Sequence, residues 1–335
     1  MSAQPVLDVR DLSVTFAAGG RSVCAVDNLS YQLGEAETVT MVGESGCGKS
    51  VSALALVGLL PATARVTGTA RLAGEDLLGV GERRLNDIRG RDIAVVFQDS
   101  MSSLNPVLSV GRQIGEVLRR HQGLSRGAAT RRSRELLDMV EIPAAERRLR
   151  EYPHQLSGGM RQRVAIAMAL ACIPKVLIAD EPTTALDVTV QAGILDLLRS
   201  LRDELGMSML LITHDLGVVA DSADRVVVMY AGRPVESAAV HELFRSPAHP
   251  YTSGLLGAAP SPAARTSPTG LAEIPGTVPT LASPARLCSF APRCTARGRR
   301  CDADRPDLQA VADAHHAACW YPVSAPSDHH AEELS

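Results

Sequence analysis

The sequence predicts an α/β protein built on a parallel sheet, followed by a loop-rich extension that carries cysteines. Three observations carry that prediction. A Gly-rich segment, Gly43-Glu44-Ser45-Gly46-Cys47-Gly48-Lys49-Ser50, stands between an apolar strand-like run and a helical one. Two unbroken apolar runs, 176–179 and 209–213, flank a long helical stretch, as central parallel strands flank a crossover. Four of the seven cysteines crowd into residues 288–319.

In chain order, residues 7–16 read as a strand with β-branched alternation. Residues 38–42 form a short apolar strand into the Gly-rich loop, and 48–60 form a helix stopped by Pro61. Residues 93–97 are another buried strand, and 111–121 and 127–140 have helical spacing of apolar residues. A Ser-Gly-Gly turn opens a helix over 158–172, and 188–205 is the crossover helix. Residues 225–230 and 233–237 pair around Ala231-Gly232. From about Pro247 the content of Pro and Ala rises, with Pro-rich turns over 261–284 and a polar tail after Tyr321 that is expected to be disordered. The division expected is a nucleotide-binding domain over 1–250, with a helical subdomain near 100–165, and an extension over 251–335.

Bulk properties narrow the function. The chain has 335 residues, 45% hydrophobic and 21% charged, enough for one large globular domain and a smaller one. A net charge of -3 gives no basic field for nucleic acid, and 3% aromatics argues against a base-stacking surface. No run approaches the roughly 18 apolar residues of a membrane span, and residues 1–10 do not read as a signal peptide. A cytoplasmic location is expected, with other subunits supplying any spans. There is no internal repeat, so one nucleotide core is expected.

A strand, a Gly-rich loop and a helix in that order form a phosphate cradle. Its glycines let backbone N–H groups curl around phosphate oxygens. Lys49 would reach the β- and γ-phosphates and the Ser50 hydroxyl would ligate Mg²⁺. Asp180 ends an apolar strand at its carboxyl edge, where ligands bind in parallel sheets, and suits a Mg²⁺-bound water. Glu181 follows, placed to orient or deprotonate an attacking water; its bland alternative is a helix cap or ion pair. Gln98 and His214 also end buried strands, and could touch Mg²⁺ or the lytic water and the γ-phosphate; read alone, Gln98 is an ordinary strand-end glutamine. Ser157, Gly158 and Gly159 open a helix and make a second anion site. One triphosphate rarely needs two such sites in one chain. Two chains facing each other resolve this, each closing over the ATP held by the other, with Asp187 near their interface.

These features resemble the ATP-binding subunits of ABC transporters over about residues 7–237. The resemblance implies a RecA-like parallel sheet, an antiparallel β subdomain and a helical subdomain. Residues 43–50 match its Walker A loop, with Val51 next in the helix; Gln98 matches its Q-loop, and 156–160 its signature, which ends here in Met160 rather than the commoner Gln. Residues 176–181 match Walker B, 184–187 the D-loop, and His214 the switch histidine. By the same resemblance Phe16 stacks on adenine; its alternative is a plain core residue.

The segments 102–106, 152–156, 249–252 and 274–279, with the cysteine set, are similar to the oligopeptide/dipeptide/nickel importer branch. That implies a second, related ATPase subunit, two transmembrane permease subunits, an extracytoplasmic substrate-binding protein and a place on the cytoplasmic face of the membrane. Peptides are the expected cargo, with nickel or another small solute as the alternative. A soluble ATPase acting on nucleic acid and an exporter ATPase are the rivals; the compact 98–156 interval and the missing spans disfavour them.

Cys288, Cys294, Cys301 and Cys319 lack the C-x₂-C pairs of zinc sites, whereas four thiolates suit a [4Fe–4S] cluster, which some members of the branch are thought to hold. Zinc, and cysteines packed as small hydrophobes, remain alternatives. Cys47 reads either as a small side chain that fits its loop or as a target for thiol reagents. His315-His316 and His329-His330 look like a metal-binding tail but read better as a solvated one, and the basic run 126–134 reads as a solvated helix face rather than a polyanion patch.

Overall fold

The computed structural model describes residues 4–18, 21–99, 103–184, 186–258 and 274–323. Strands β1 (Leu7–Ala18) and β2 (Arg21–Leu33) pair antiparallel, and β3 (Thr38–Val42) leads through the Gly-rich loop into α1 (Lys49–Leu56). The helix expected to reach residue 60 stops earlier because Gly58 takes φ 59°, a left-handed conformation that turns the chain out before Pro61. β4 (Ala64–Leu72) and β5 (Glu75–Asp76) complete a four-stranded sheet of order β2-β1-β4-β5. The family resemblance implied this subdomain, but residue patterning located only its first strand.

After α2 (Glu82–Ile88) come β6 (Ile93–Val96) and the helical subdomain: α3 (Val110–Gln122), α4 (Arg126–Met139), α5 (Ala145–Arg148) and α6 (Gly158–Ala169). α3 ends at Gly123, whose φ of 66° closes the helix, and Ser125 caps α4 by accepting from Ala128 N–H. Then follow β7 (Val176–Asp180), α7 (Val188–Leu205), β8 (Ser208–Thr213), α8 (Leu216–Ser222), β9 (Arg225–Tyr230), β10 (Arg233–Ala239), α9 (Val240–Arg245) and α10 (Pro250–Ala258). Ala231 and Gly232, both at positive φ, make the tight β9–β10 hairpin that the sequence placed there.

The main sheet has the order β11-β12-β10-β9-β3-β8-β7-β6, where β11 (Gln309–Ala312) and β12 (His315–Ala317) come from the extension. It is parallel from β9 to β6. Alternation splits each central strand between two cores. Ile178, Leu210 and Ile212 pack with α1 and the antiparallel sheet. Leu177, Ala179, Met209 and Leu211 pack with the helical subdomain and α7. Both faces are covered, which is why these strands read as unbroken apolar runs. Among the described residues no helix is long and apolar enough to cross a membrane.

The extension docks on β9 and β10 through an aromatic trio. Tyr230 meets Tyr251 at 4.7 Å and Phe290 at 5.2 Å between ring centroids. His315 is a correction to the solvated-tail expectation: it is buried, and its Nε2 lies 2.7 Å from Glu236 Oε1. The expectation failed because β12 pairs with β10, a long-range contact that local composition does not show. His329-His330 lies outside the described residues, as does most of the stretch expected to form the polar tail.

His249 sits beside this pair, fully buried. Its Nδ1 accepts from Tyr251 N–H at 3.0 Å, and the ring also bonds the Ala318 backbone. Burial pushes its pKa down to about 3. The folded state therefore holds the ring neutral while the unfolded chain takes a proton below about pH 6.5. Its stabilisation is complete above that pH and is lost as pH falls toward 3. Urea unfolding should show about 2 kcal/mol lost between pH 6.5 and 5 from this group, and His249→Gln should flatten that slope. An unchanged slope in the variant would assign the acid sensitivity to other groups.

Candidate nucleotide site

β3 delivers the chain to the sheet's carboxyl edge, where the Gly-rich loop begins. Gly43 (φ 152°) and Gly48 (φ 98°) adopt backbones that side chains rarely take. A Cβ on Gly43 would overlap the Met229 carbonyl, and one on Gly48 the Ala25 carbonyl. Gly48 precedes α1, so the first N–H groups of the helix open onto the loop. The loop borders a cavity of about 540 Å³ lined by Gly43 through Val51 together with Gln98, Glu181 and His214. These sequence-predicted residues thus lie in one place. Ala25, Leu216 and Leu255 also line it, and no local motif marks them.

Lys49 is 5% exposed. Its Nζ donates to the carbonyls of Gly43 at 2.7 Å and Glu44 at 3.2 Å, so the ammonium is folded across the loop's mouth. Ser50 Oγ donates to Asp180 Oδ1 at 2.9 Å. Burial, with Glu181 adjacent, raises the Asp180 carboxyl above the usual range. A hydroxyl and a carboxylate side by side at a phosphate loop are hard oxygen donors that fit Mg²⁺.

Glu181 takes φ 44° at the turn out of β7, and its N–H donates to the Ile212 carbonyl at 2.9 Å. Its carboxylate is 15% exposed. Oε2 accepts from Gln98 Nε2 at 2.8 Å and from Thr184 Oγ1 at 2.9 Å, and Oε1 lies 3.5 Å from His214 Nδ1. Three strand ends, those of β6, β7 and β8, are needed to assemble this group.

Other expected residues lie elsewhere. Ser157 caps α6, its Oγ accepting from Met160 N–H at 3.3 Å. Gly159 packs so closely on α7 that a Cβ would sit 2.6 Å from Val190 Cγ1. Asp187 caps α7 through Val190 N–H at 3.0 Å, while Ala185, two positions earlier, lies outside the described residues. None of Ser157, Gly158, Gly159 and Asp187 lines the cavity. Phe16 is half-buried on β1 against the core under the antiparallel sheet and does not line it either. Cys47 is wholly buried, and burial pushes its thiol up, so the expected reactivity toward thiol reagents is not supported.

The cysteine expectation also lacks support. Among the described residues no group of three or more His, Cys, Asp or Glu side chains is placed to hold a metal ion. Cys288, Cys294, Cys301 and Cys319 are free thiols within electrostatic reach of one another. Burial raises the Cys288 and Cys294 thiols and brings Cys319 to about 11. The donor type suits iron–sulfur, but the side chains as placed do not form such a group among the described residues.

A phosphate loop, a strand-end Asp-Glu pair and a separate Ser-Gly-Gly helix cap define the class: an ATP-binding cassette. Comparison with known proteins agrees. Residues 26–184 match the ABC transporter family, and 235–301 match the oligopeptide/dipeptide transporter C-terminal region. The chain is 54% identical over 316 residues to the oligopeptide transport ATP-binding protein OppD of Mycobacterium tuberculosis, covering 94% of this chain and 52% of that protein. It therefore spans about half the length of the curated relatives it matches first. It is 50% identical over 338 residues to a putative peptide import ATP-binding protein of Brucella ovis, covering 97% of this chain and all of that one. Among solved structures, a dimeric ATP-binding cassette in a post-hydrolysis state bound to ADP and Pi matches with a TM-score of 0.63 and 30% identity, over 70% of this chain and 98% of that one. The chain belongs to the family of ABC transporter ATP-binding proteins.

Proposed function

We propose that this chain is the ATP-hydrolysing subunit of a multisubunit importer of di- and oligopeptides. The observation that carries the reading is the convergence of Lys49, the Ser50–Asp180 pair and the Glu181–Gln98–His214 group on one cavity. The match of the extension to the peptide-transporter region supports the cargo class.

The loop amides and Lys49 bind the triphosphate, with the Gly43 and Glu44 carbonyls giving way as partners of Nζ. Mg²⁺, held by Ser50 and Asp180, would neutralise charge developing on the phosphates. Glu181 orients the attacking water and takes its proton, and Gln98 and His214 hold that carboxylate in place. Ser157 and its glycines lie outside the cavity, so they serve the nucleotide of a facing ATPase subunit, a related chain. Closure of the pair on ATP and reopening after hydrolysis move two membrane permease subunits, which receive cargo from an extracytoplasmic binding protein. An apolar groove of about 330 Å³, lined in part by Leu59, Phe97, Leu104 and Val117, lies next to Gln98 and is the face we assign to the permeases. The protein then works on the cytoplasmic face of the membrane, and no step is assigned to nucleic acid or to a metal at the cysteines.

Whole-cell uptake tests this reading. Cells carrying Glu181→Gln or Ser157→Arg should lose uptake of labelled di- and oligopeptides, and native cells should not. Loss of nickel uptake alone would move the cargo to the metal. Unchanged peptide and nickel uptake in both variants would overturn the cargo assignment.

A further inference from the structure

Arg293, in the extension, lies 249 positions from Glu44 in the chain, yet the two close a forked ion pair. Nη1 donates to Oε2 at 2.7 Å and Nη2 to Oε1 at 2.9 Å. The Arg293 side chain is only 6% exposed. Its Nε donates to the Pro275 carbonyl at 2.7 Å and its Nη2 also to the Ile274 carbonyl at 3.0 Å, so fixed acceptors aim the fork at the phosphate loop. Tyr251 adds a second tether, its hydroxyl accepting from Glu44 N–H at 2.9 Å.

Glu44 is the acidic side chain of Gly43–Ser50, and it borders the cavity. A carboxylate left unpaired there would repel a triphosphate, and the partly desolvated setting would strengthen the repulsion. A guanidinium is charged at every working pH and matches the carboxylate fork to fork. We infer that Arg293 is a positioning residue for ATP binding: acting through Glu44, it cancels the phosphate loop's own negative charge and fixes the loop for the incoming triphosphate. The extension is then part of the ATP site of its own chain. This rests on the nucleotide-site reading above.

MgATP binding and ATPase kinetics of the full chain test it. Arg293→Met should weaken MgATP binding on the order of tenfold or more. The loss should appear in KM more than in kcat, because Asp180 and Glu181 are untouched. Adding Glu44→Gln to the Arg293→Met protein should restore most of the affinity, since the uncompensated charge is gone. A residue that only props up the extension would give a double variant as weak as the single one. That result, or native affinity in Arg293→Met, would overturn the inference. If Arg293→Met does not fold, Arg293→Lys serves in its place: it keeps the charge without the fork, and should show a smaller loss that Glu44→Gln again relieves; a loss that Glu44→Gln does not relieve overturns the inference. Failure of the native chain to bind MgATP would instead overturn the site reading itself, and this inference with it.

Discussion

Glu181→Gln is expected to lower ATP turnover about 10²–10⁴-fold while MgATP binding persists. The change removes a base and keeps the shape. One oxygen remains to accept from Gln98 Nε2, which now lies 2.8 Å from Oε2, and the Ser50–Asp180 contact is untouched. Binding relies on the loop amides and Lys49, which Glu181 does not contact. Single-turnover hydrolysis separates the two effects, because it reads the chemical step with nucleotide already bound. Turnover within tenfold of native would exclude Glu181 as the base and point to a water activated by other groups.

The second large effect should come from Gly48→Ala, with Gly46→Ala as its control. Both glycines have positive φ, 98° and 80°. Backbone strain of this kind costs about 1–3 kcal/mol. At Gly46 a Cβ finds nothing within 4 Å, so strain is the whole penalty. At Gly48 the Cβ also overlaps the Ala25 carbonyl, and relief requires moving the loop or β2. Gly48→Ala should therefore weaken MgATP binding on the order of 10²-fold, and Gly46→Ala roughly tenfold less than that. Equal losses would show that conformational strain alone controls the loop.

Much of the site was legible because its chemistry is local. The eight residues of the phosphate loop are contiguous, and a strand-end position marks Asp180, Glu181, Gln98 and His214 from a few neighbours each. The central strands were legible for the same reason, since burial on both faces writes an unbroken apolar run. β2 and β4 were harder. They are covered on one face only, so polar and small residues interrupt their pattern, as in the exposed positions of Ala64–Leu72. The end of α1 was set by Gly58 rather than by Pro61, a choice between two adjacent stop signals that periodicity does not make.

The sequence by itself determined the fold class and the Gly-rich loop, and it put Gln98, Glu181 and His214 at strand ends, because short-range spacing fixes which groups stand there. Only the tertiary structure decided what surrounds them. It put Ser157 and Asp187 outside the cavity and Phe16 against a core. It buried His315 against Glu236, and it brought Arg293 to Glu44 across 249 positions. Those contacts depend on how sheet edges and helices close on one another, and burial then selects partners that local sequence does not encode.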